Sequence, residues 1–283
     1  MQAADSDYSI YRQLVSQLMS DEEQLPSLPT LTLEIRRALA MPEEVNIPRL
    51  AGLIGQDPAL SALLVKYASS PLLRTRVTPK TLEDVLRVLG MQQVDRVVMM
   101  HSIKSLFTLH SAGHKQLFLA AWHRLTLQGS ICAFLARQVG RIPADHVVLA
   151  SLLSEVGDLA VLSAFKDGHL PPSPTRYAEL CRAYGRSLGV ILLKKWAVDE
   201  EYVQIVREVD NWSLQRVRQL ELLDLVNLGR YHVLAGDAER PPLASLAAYA
   251  KLIAPYNELA LDGRLCLVEQ HWDDIQTLAA TLR

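Results

Sequence analysis

The 283-residue chain is long enough to bury a large core, as one large domain or two smaller ones. Hydrophobic residues make up 49% of it and charged residues 21%, a globular balance with no signature of disorder. A net charge of −2 argues against the basic footprint that nucleic acid or an anionic membrane surface demands. No apolar run approaches the ~20 residues that span a bilayer, and the polar, acidic opening MQAADSDYSIYRQ does not read as a signal peptide. Cys132, Cys181 and Cys266 stand far apart in apolar patterns with no CxxC, which predicts reduced core thiols and a cytoplasmic protein.

In chain order, Ile10, Leu14 and Leu18 predict an amphipathic helix. Leu25-Pro-Ser-Leu-Pro29 is an extended connector, because each proline drives its predecessor away from helix. Thr30 is the expected N-cap of a helix with Leu31, Ile35 and Leu39 on one face. A short helix follows over Asn46 to Gln56. Asp57-Pro58 starts the next, with Leu60, Leu63, Leu64 and Tyr67 inward and Pro71 at its end. Thr81 to Asp84 forms a capping-box start, and Gly90 stops that helix. A long segment through Val94, Val97, Val98 and His101 precedes a helix from Leu117 to Val139 that ends at Gly140.

The stretch Ala150 to Leu162, ASLLSEVGDLAVL, reads as an apolar central helix bearing Glu155 and Asp158, with Asp145 just before it. Pro171-Pro172-Ser-Pro174 is a clear loop. Helices are then expected at Thr175–Tyr184, Ser187–Trp196, Glu200–Val209, Leu214–Leu234, Leu243–Ile253 and Leu265–Leu282. With no alternating strand pattern, the predicted fold class is all-α.

Several of these stretches, in their order, resemble the HDOD family, a relative of the HD phosphohydrolases. Leu25-Pro-Ser-Leu-Pro29 resembles its opening LPxLP, and Asp57-Pro58-Ala-Leu60 its DPxL. Tyr67-Ala-Ser-Ser-Pro71 is similar to its ANSP element, with Ser69 in place of Asn. Thr81 to Gly90 is similar to SLxxAIxxLG, and Gly189 to Trp196 to GxxLLxxW. The resemblance implies a multi-helical bundle with an N-terminal helical lobe and extra C-terminal helices. The expected division is an N-terminal helix over 1–24, the HDOD domain over 25–213, and a helical extension over 214–283 packed on the same unit.

The same resemblance implies where an HD enzyme would hold its metal. The His-Asp pair after the paired leucines is here Ser154-Glu155. A first histidine two residues after Trp122 is Arg124, and His123 is rotated ~100° away from it on a helix. A later histidine is Gly185, and a distal His-His pair falls near Val209-Asp210. Arg124, Ser154, Glu155, Asp158 and Gly185 are therefore read as vestigial metal-site positions, with Arg124 expected to pair with Glu155 or Asp158. No metal and no cofactor is expected.

Other constellations have plainer readings. Gly185-Arg-Ser-Leu-Gly189 fits GxSxG, but that elbow needs a preceding strand, so Ser187 is read as an N-cap. His110 and His114 have ligand spacing, yet Ser111-Ala-Gly113 between them suggests a solvated turn. A helix-turn-helix over Pro48–Ser70 would offer DNA one base, Lys66, between Asp57 and Ser70. The resemblance implies a non-catalytic bacterial signalling module that binds a protein partner, a small ligand or both. Lys66 and Arg74 are candidate partner contacts, and no nucleic acid or membrane is expected. A metal-dependent phosphohydrolase with an altered ligand set is the alternative.

Overall fold

The computed structural model describes residues 12–13, 15–17, 19–20, 25–40, 46–69, 79–107, 112–140, 142–165, 170–214, 217–234 and 240–282. Among the described residues every regular element is a helix, and the sole β-type pairing is an isolated bridge between Leu259 and Leu265. The helix expected from Ile10, Leu14 and Leu18 rests on residues outside this set.

Five helices build the N-terminal lobe: α1 (Thr30–Leu39), α2 (Ile47–Ile54), α3 (Pro58–Ala68), α4 (Leu82–Leu89) and α5 (Met91–Leu106). Their ends follow from local chemistry. Asn46 accepts a hydrogen bond from the Arg49 amide at 3.1 Å, and Asp57 accepts from Ala59 and Leu60 at 2.9 and 3.0 Å. Thr81 and Asp84 close a reciprocal capping box, and Gly90 at φ 73° turns the chain from α4 into α5. Thr30, in contrast, is the first helical residue rather than the cap. Pro29 stands at the cap without a side-chain bond, because its ring already fixes the entry angle.

The LPxLP connector has a packing reason. Leu25 and Leu28 are buried, and the carbonyls between them lack helical partners. The indole Nε1 of Trp196 donates to the Pro26 carbonyl at 2.8 Å, and Lys195 Nζ donates to the Leu25 carbonyl at 2.7 Å. Two sequence motifs 170 residues apart thus satisfy each other.

The centre is α6 (Ala112–Val139), a 28-residue helix about 42 Å long. It packs along α7 (Ala144–Ser154) and also carries α12 (Leu222–Val233) and the last helix, α15 (Trp272–Leu282). Helix α6 begins five residues before the expected start, so Gly113 and His114 lie on it, and His114 is buried rather than solvated. His110 lies outside the described residues.

The central helix is interrupted. It is α7, then Glu155 at φ −120°, then α8 (Val156–Ser163). Together Ala144–Ser163 has the length and hydropathy of a membrane span, contrary to the expectation that no run comes near it. Its most apolar window is 89% buried inside the protein, which is what a core helix requires.

Beyond the proline loop, α9 (Pro174–Leu180) passes through one π-helical turn, Cys181–Gly185, into α10 (Arg186–Lys195). The backbone stays helical throughout, so Ser187 is an interior residue and caps nothing. Helix α11 (Glu200–Glu208) packs on α7 and α10.

The C-terminal segment is less helical than its apolar spacing suggests. The expected Leu214–Leu234 helix starts only at Leu222, and Leu243–Ile253 resolves into a 3-10 turn and the short α13 (Ala247–Ala250). Helix α14 (Cys266–Gln270) leads into α15. Buried His232 ties this segment down. Its Nδ1 donates to the Leu228 carbonyl at 2.7 Å and its Nε2 accepts the Leu265 amide at 3.2 Å. Burial pushes its pKa down to about 4, which matches the neutral ring those two bonds need.

Candidate functional site

The site forms where α6, α7, α8, the π turn and α12 converge. Glu155 occupies the break between α7 and α8, and its side chain is 4% exposed. Arg124, on α6, donates through Nη2 to Glu155 Oε2. Arg230, on α12, reaches the other oxygen, Oε1. The pair expected between Arg124 and Glu155 is therefore present, and a second arginine shares the carboxylate.

Arg230 is the member that sequence reading missed. Its side chain is 14% exposed, and it also grips Asp210 with a fork, Nε to Oδ1 and Nη2 to Oδ2, the latter at 3.0 Å. Asp210 sits at φ 70°, a left-handed conformation that a non-glycine residue rarely takes. Its amide is held by Asn227 Oδ1 at 3.2 Å, so α12 secures both ends of this contact. The available signal was one arginine inside the otherwise apolar register LLDLVNLGRYHV.

Asp158 lies one turn beyond Glu155, at 4.0 Å from Arg124. Burial raises its pKa to about 6, Arg124 pulls it down, and nearby Asp210 pushes it up. Burial likewise lowers Arg230 to about 10, which leaves it charged at neutral pH. Ser154 is turned inward. Its hydroxyl donates to the Ser151 carbonyl at 2.7 Å and accepts from Gln128 at 3.3 Å.

Gly185 has a steric reason for being glycine. A Cβ there would collide with Asp158 Oδ1, and a Cβ on Gly157 would strike the Gly185 carbonyl and the Gly189 amide. Three glycines let the α8 backbone touch the α9–α10 backbone, so no larger side chain fits at 185.

A cavity of about 850 Å³ opens over these groups. Its walls include Leu117, Ala121, Tyr177 and Trp212 as well as the charged residues. All the positions that the resemblance assigns to a metal border it, with Arg124, Ser154, Glu155, Asp158 and Gly185 brought together. They do not suit a divalent cation. Both Glu155 oxygens already face guanidiniums, Ser154 bonds to its own helix, and Gly185 has no side chain. Among the described residues no group of three or more His, Cys, Asp or Glu side chains converges to hold an ion.

The other candidates lie elsewhere. Lys66 is exposed on α3, and its Nζ donates to the Ala280 carbonyl of α15 at 3.1 Å. Arg74 is outside the described residues. His101 pairs with Asp57 at 2.9 Å, which fastens the start of α3 to α5.

Fold and site together define a helical domain of the HD type in which ion pairs stand at the positions that the resemblance assigns to a metal. The chain belongs to the HDOD family: the HDOD domain model matches residues 25–212. Arg230 therefore enters the site from beyond the matched region. Solved structures share the fold. A candidate metal-dependent phosphohydrolase from Shewanella amazonensis SB2B aligns over 97% of this chain and 100% of its own, at 18% identity and a TM-score of 0.76. An HDOD domain protein of unknown function from Geobacter sulfurreducens aligns over 95% and 96%, at 20% identity and a TM-score of 0.63. A second candidate phosphohydrolase from Shewanella amazonensis SB2B aligns over 95% and 98%, at 17% identity and a TM-score of 0.56. No curated protein matches the chain at a significant level.

Proposed function

We propose that this chain is a non-catalytic regulatory module of the HDOD family, acting in signal transduction by binding a small ligand or a protein partner. The observation that carries this reading is the pairing of Glu155 with both Arg124 and Arg230. Glu155, the carboxylate at the position of the His-Asp pair, is neutralised by protein cations, and two guanidiniums repel a divalent ion from the same place. Arg124, Ser154, Glu155, Asp158 and Gly185 then serve as vestigial positions whose present role is structural.

The arginines explain how such a core stays folded. A carboxylate buried without a partner costs several kcal/mol. Arg124 supplies a charge-assisted hydrogen bond and Arg230 an ion pair, without an ion from solution. The cavity above them keeps its volume and its charged walls, which is what a binding module needs. We assign partner contact to the lobe bearing Lys66, with Arg74 a further contact.

The test is direct. Protein purified without chelator should carry well under one metal per chain after dialysis. It should also release no phosphate from a panel of phosphoesters with added manganese, iron or zinc. One tightly held metal per chain together with turnover would overturn the reading.

A further inference from the structure

The Glu155 cavity is unusual in its charge balance. Five arginines border it, Arg124, Arg182, Arg186, Arg230 and Arg240, against the three carboxylates Glu155, Asp158 and Asp210. With all eight ionised, the walls carry two surplus positive charges, in a chain whose net charge is −2. The two groups of arginines have separate work. Arg124 and Arg230 are consumed by Glu155 and Asp210. Arg240 lies 3.9 Å over the Tyr231 ring and donates to the Tyr231 carbonyl. Arg186 spends one donor on the Val209 carbonyl at 2.9 Å and is otherwise exposed. The Arg182 guanidinium is exposed and makes no hydrogen bond or ion pair among the described residues.

We propose that this cavity binds a small organic dianion, with Arg182 and Arg186 as its principal contacts. This rests on the regulatory reading above, in which the cavity persists as a binding site without chemistry, and it names the class of ligand. A surplus of two positive charges calls for a ligand with two negative ones. Planar guanidinium forks suit oxyanions through paired hydrogen bonds. The volume is too large for a bare inorganic anion and falls in the range of small-molecule sites. Leu117, Ala121, Tyr177 and Trp212 supply an apolar wall for an organic body. Phosphate monoesters and dicarboxylates share this chemistry.

Isothermal titration of the full chain with phenyl phosphate, with phthalate and with neutral benzyl alcohol separates the cases. One or both dianions should bind at one per chain with a Kd of about 1 mM or tighter, weakening as salt is raised. Binding by phenyl phosphate alone identifies a phosphate monoester site, and binding by phthalate alone a dicarboxylate site. The R182A/R186A variant should bind at least tenfold more weakly with an unchanged helical spectrum. Should that variant unfold, Arg182→Ala alone removes no hydrogen bond or ion pair among the described residues and should still weaken binding severalfold. Binding by neither dianion, equal binding of benzyl alcohol, or unchanged affinity in Arg182→Ala would overturn the proposal. Release of phenol from phenyl phosphate would overturn the non-catalytic reading instead, so the two failures are distinguishable.

Discussion

Two cavities share one wall, and they are held open by different physics. Helices α6 and α7 present Arg124 and Ser154 to the polar cavity, and Trp122 and Leu152 to a groove of about 400 Å³ on the other side. Residues two apart on a helix are rotated by ~200°, so each helix faces both ways. The groove is walled mainly by Ala59, Leu63, Tyr67, Met100, Trp122 and Leu152, and closed by Leu282 at the end of α15. Its shape depends on apolar contact, which tolerates small shifts of any one side chain. The polar cavity depends on a few charges that compensate one another across α6, the α7–α8 break and α12. Losing the shared Arg230 takes one partner from Glu155 and the fork from Asp210, so the polar wall should be brittle there while the apolar wall is forgiving.

Arg230→Ala should be the most damaging single change. It strips partners from Glu155 and Asp210 together, and breaking a buried pair from one side costs about 3–5 kcal/mol. Urea unfolding measures this, and a loss below about 1 kcal/mol would mean that the cluster is better hydrated than its burial indicates.

The pH dependence of Asp158 comes next. Its pKa is raised on folding to about 6, so the folded state binds the extra proton and the carboxyl costs stability as pH rises from about 4 to 6. Asp158→Asn removes that cost. The variant should gain on the wild type across this window, by at most about 3 kcal/mol, and hold the gain at higher pH. A stability difference that is flat with pH would show that Asp158 is solvated.

Arg124→Ala should cost less than Arg230→Ala, about 1–2 kcal/mol, because its side chain is 37% exposed and Arg230 still holds Glu155. If the two arginine variants prove equally damaging, the carboxylate needs both guanidiniums at once. On the groove side, Lys66→Ala removes one exposed bond to the Ala280 carbonyl, and its effect on thermal stability should be a few tenths of a kcal/mol. A larger loss would make α15 a stressed closure of the groove rather than a forgiving one.

Much of this was legible along the chain because it depends on neighbours in sequence. The caps at Asp57 and Thr81 and the stops at Gly90 and Gly140 are short-range hydrogen-bond and φ requirements, and they stand where residue type places them. The HDOD frame from Leu25 onward was readable for the same reason, since its motifs carry buried leucines and helix starts. The Arg124–Glu155 pair was within reach because the frame assigned both positions to one centre.

Tertiary structure alone decided the rest. Arg230 is 75 residues from Glu155 and looks like a stray charge on an apolar helix until α12 packs against α6. Gly185 reads as an empty ligand position, whereas the contact of α8 with the α9–α10 backbone makes it a steric necessity. The break at Glu155 hides within an unbroken apolar pattern, because periodicity records which face is buried and says nothing of where the backbone must turn a carboxylate toward two guanidiniums. Composition set the charge of the whole chain, but only packing concentrates five arginines around one cavity: electrostatic potential depends on distance in space, and a sequence specifies that distance only through the fold.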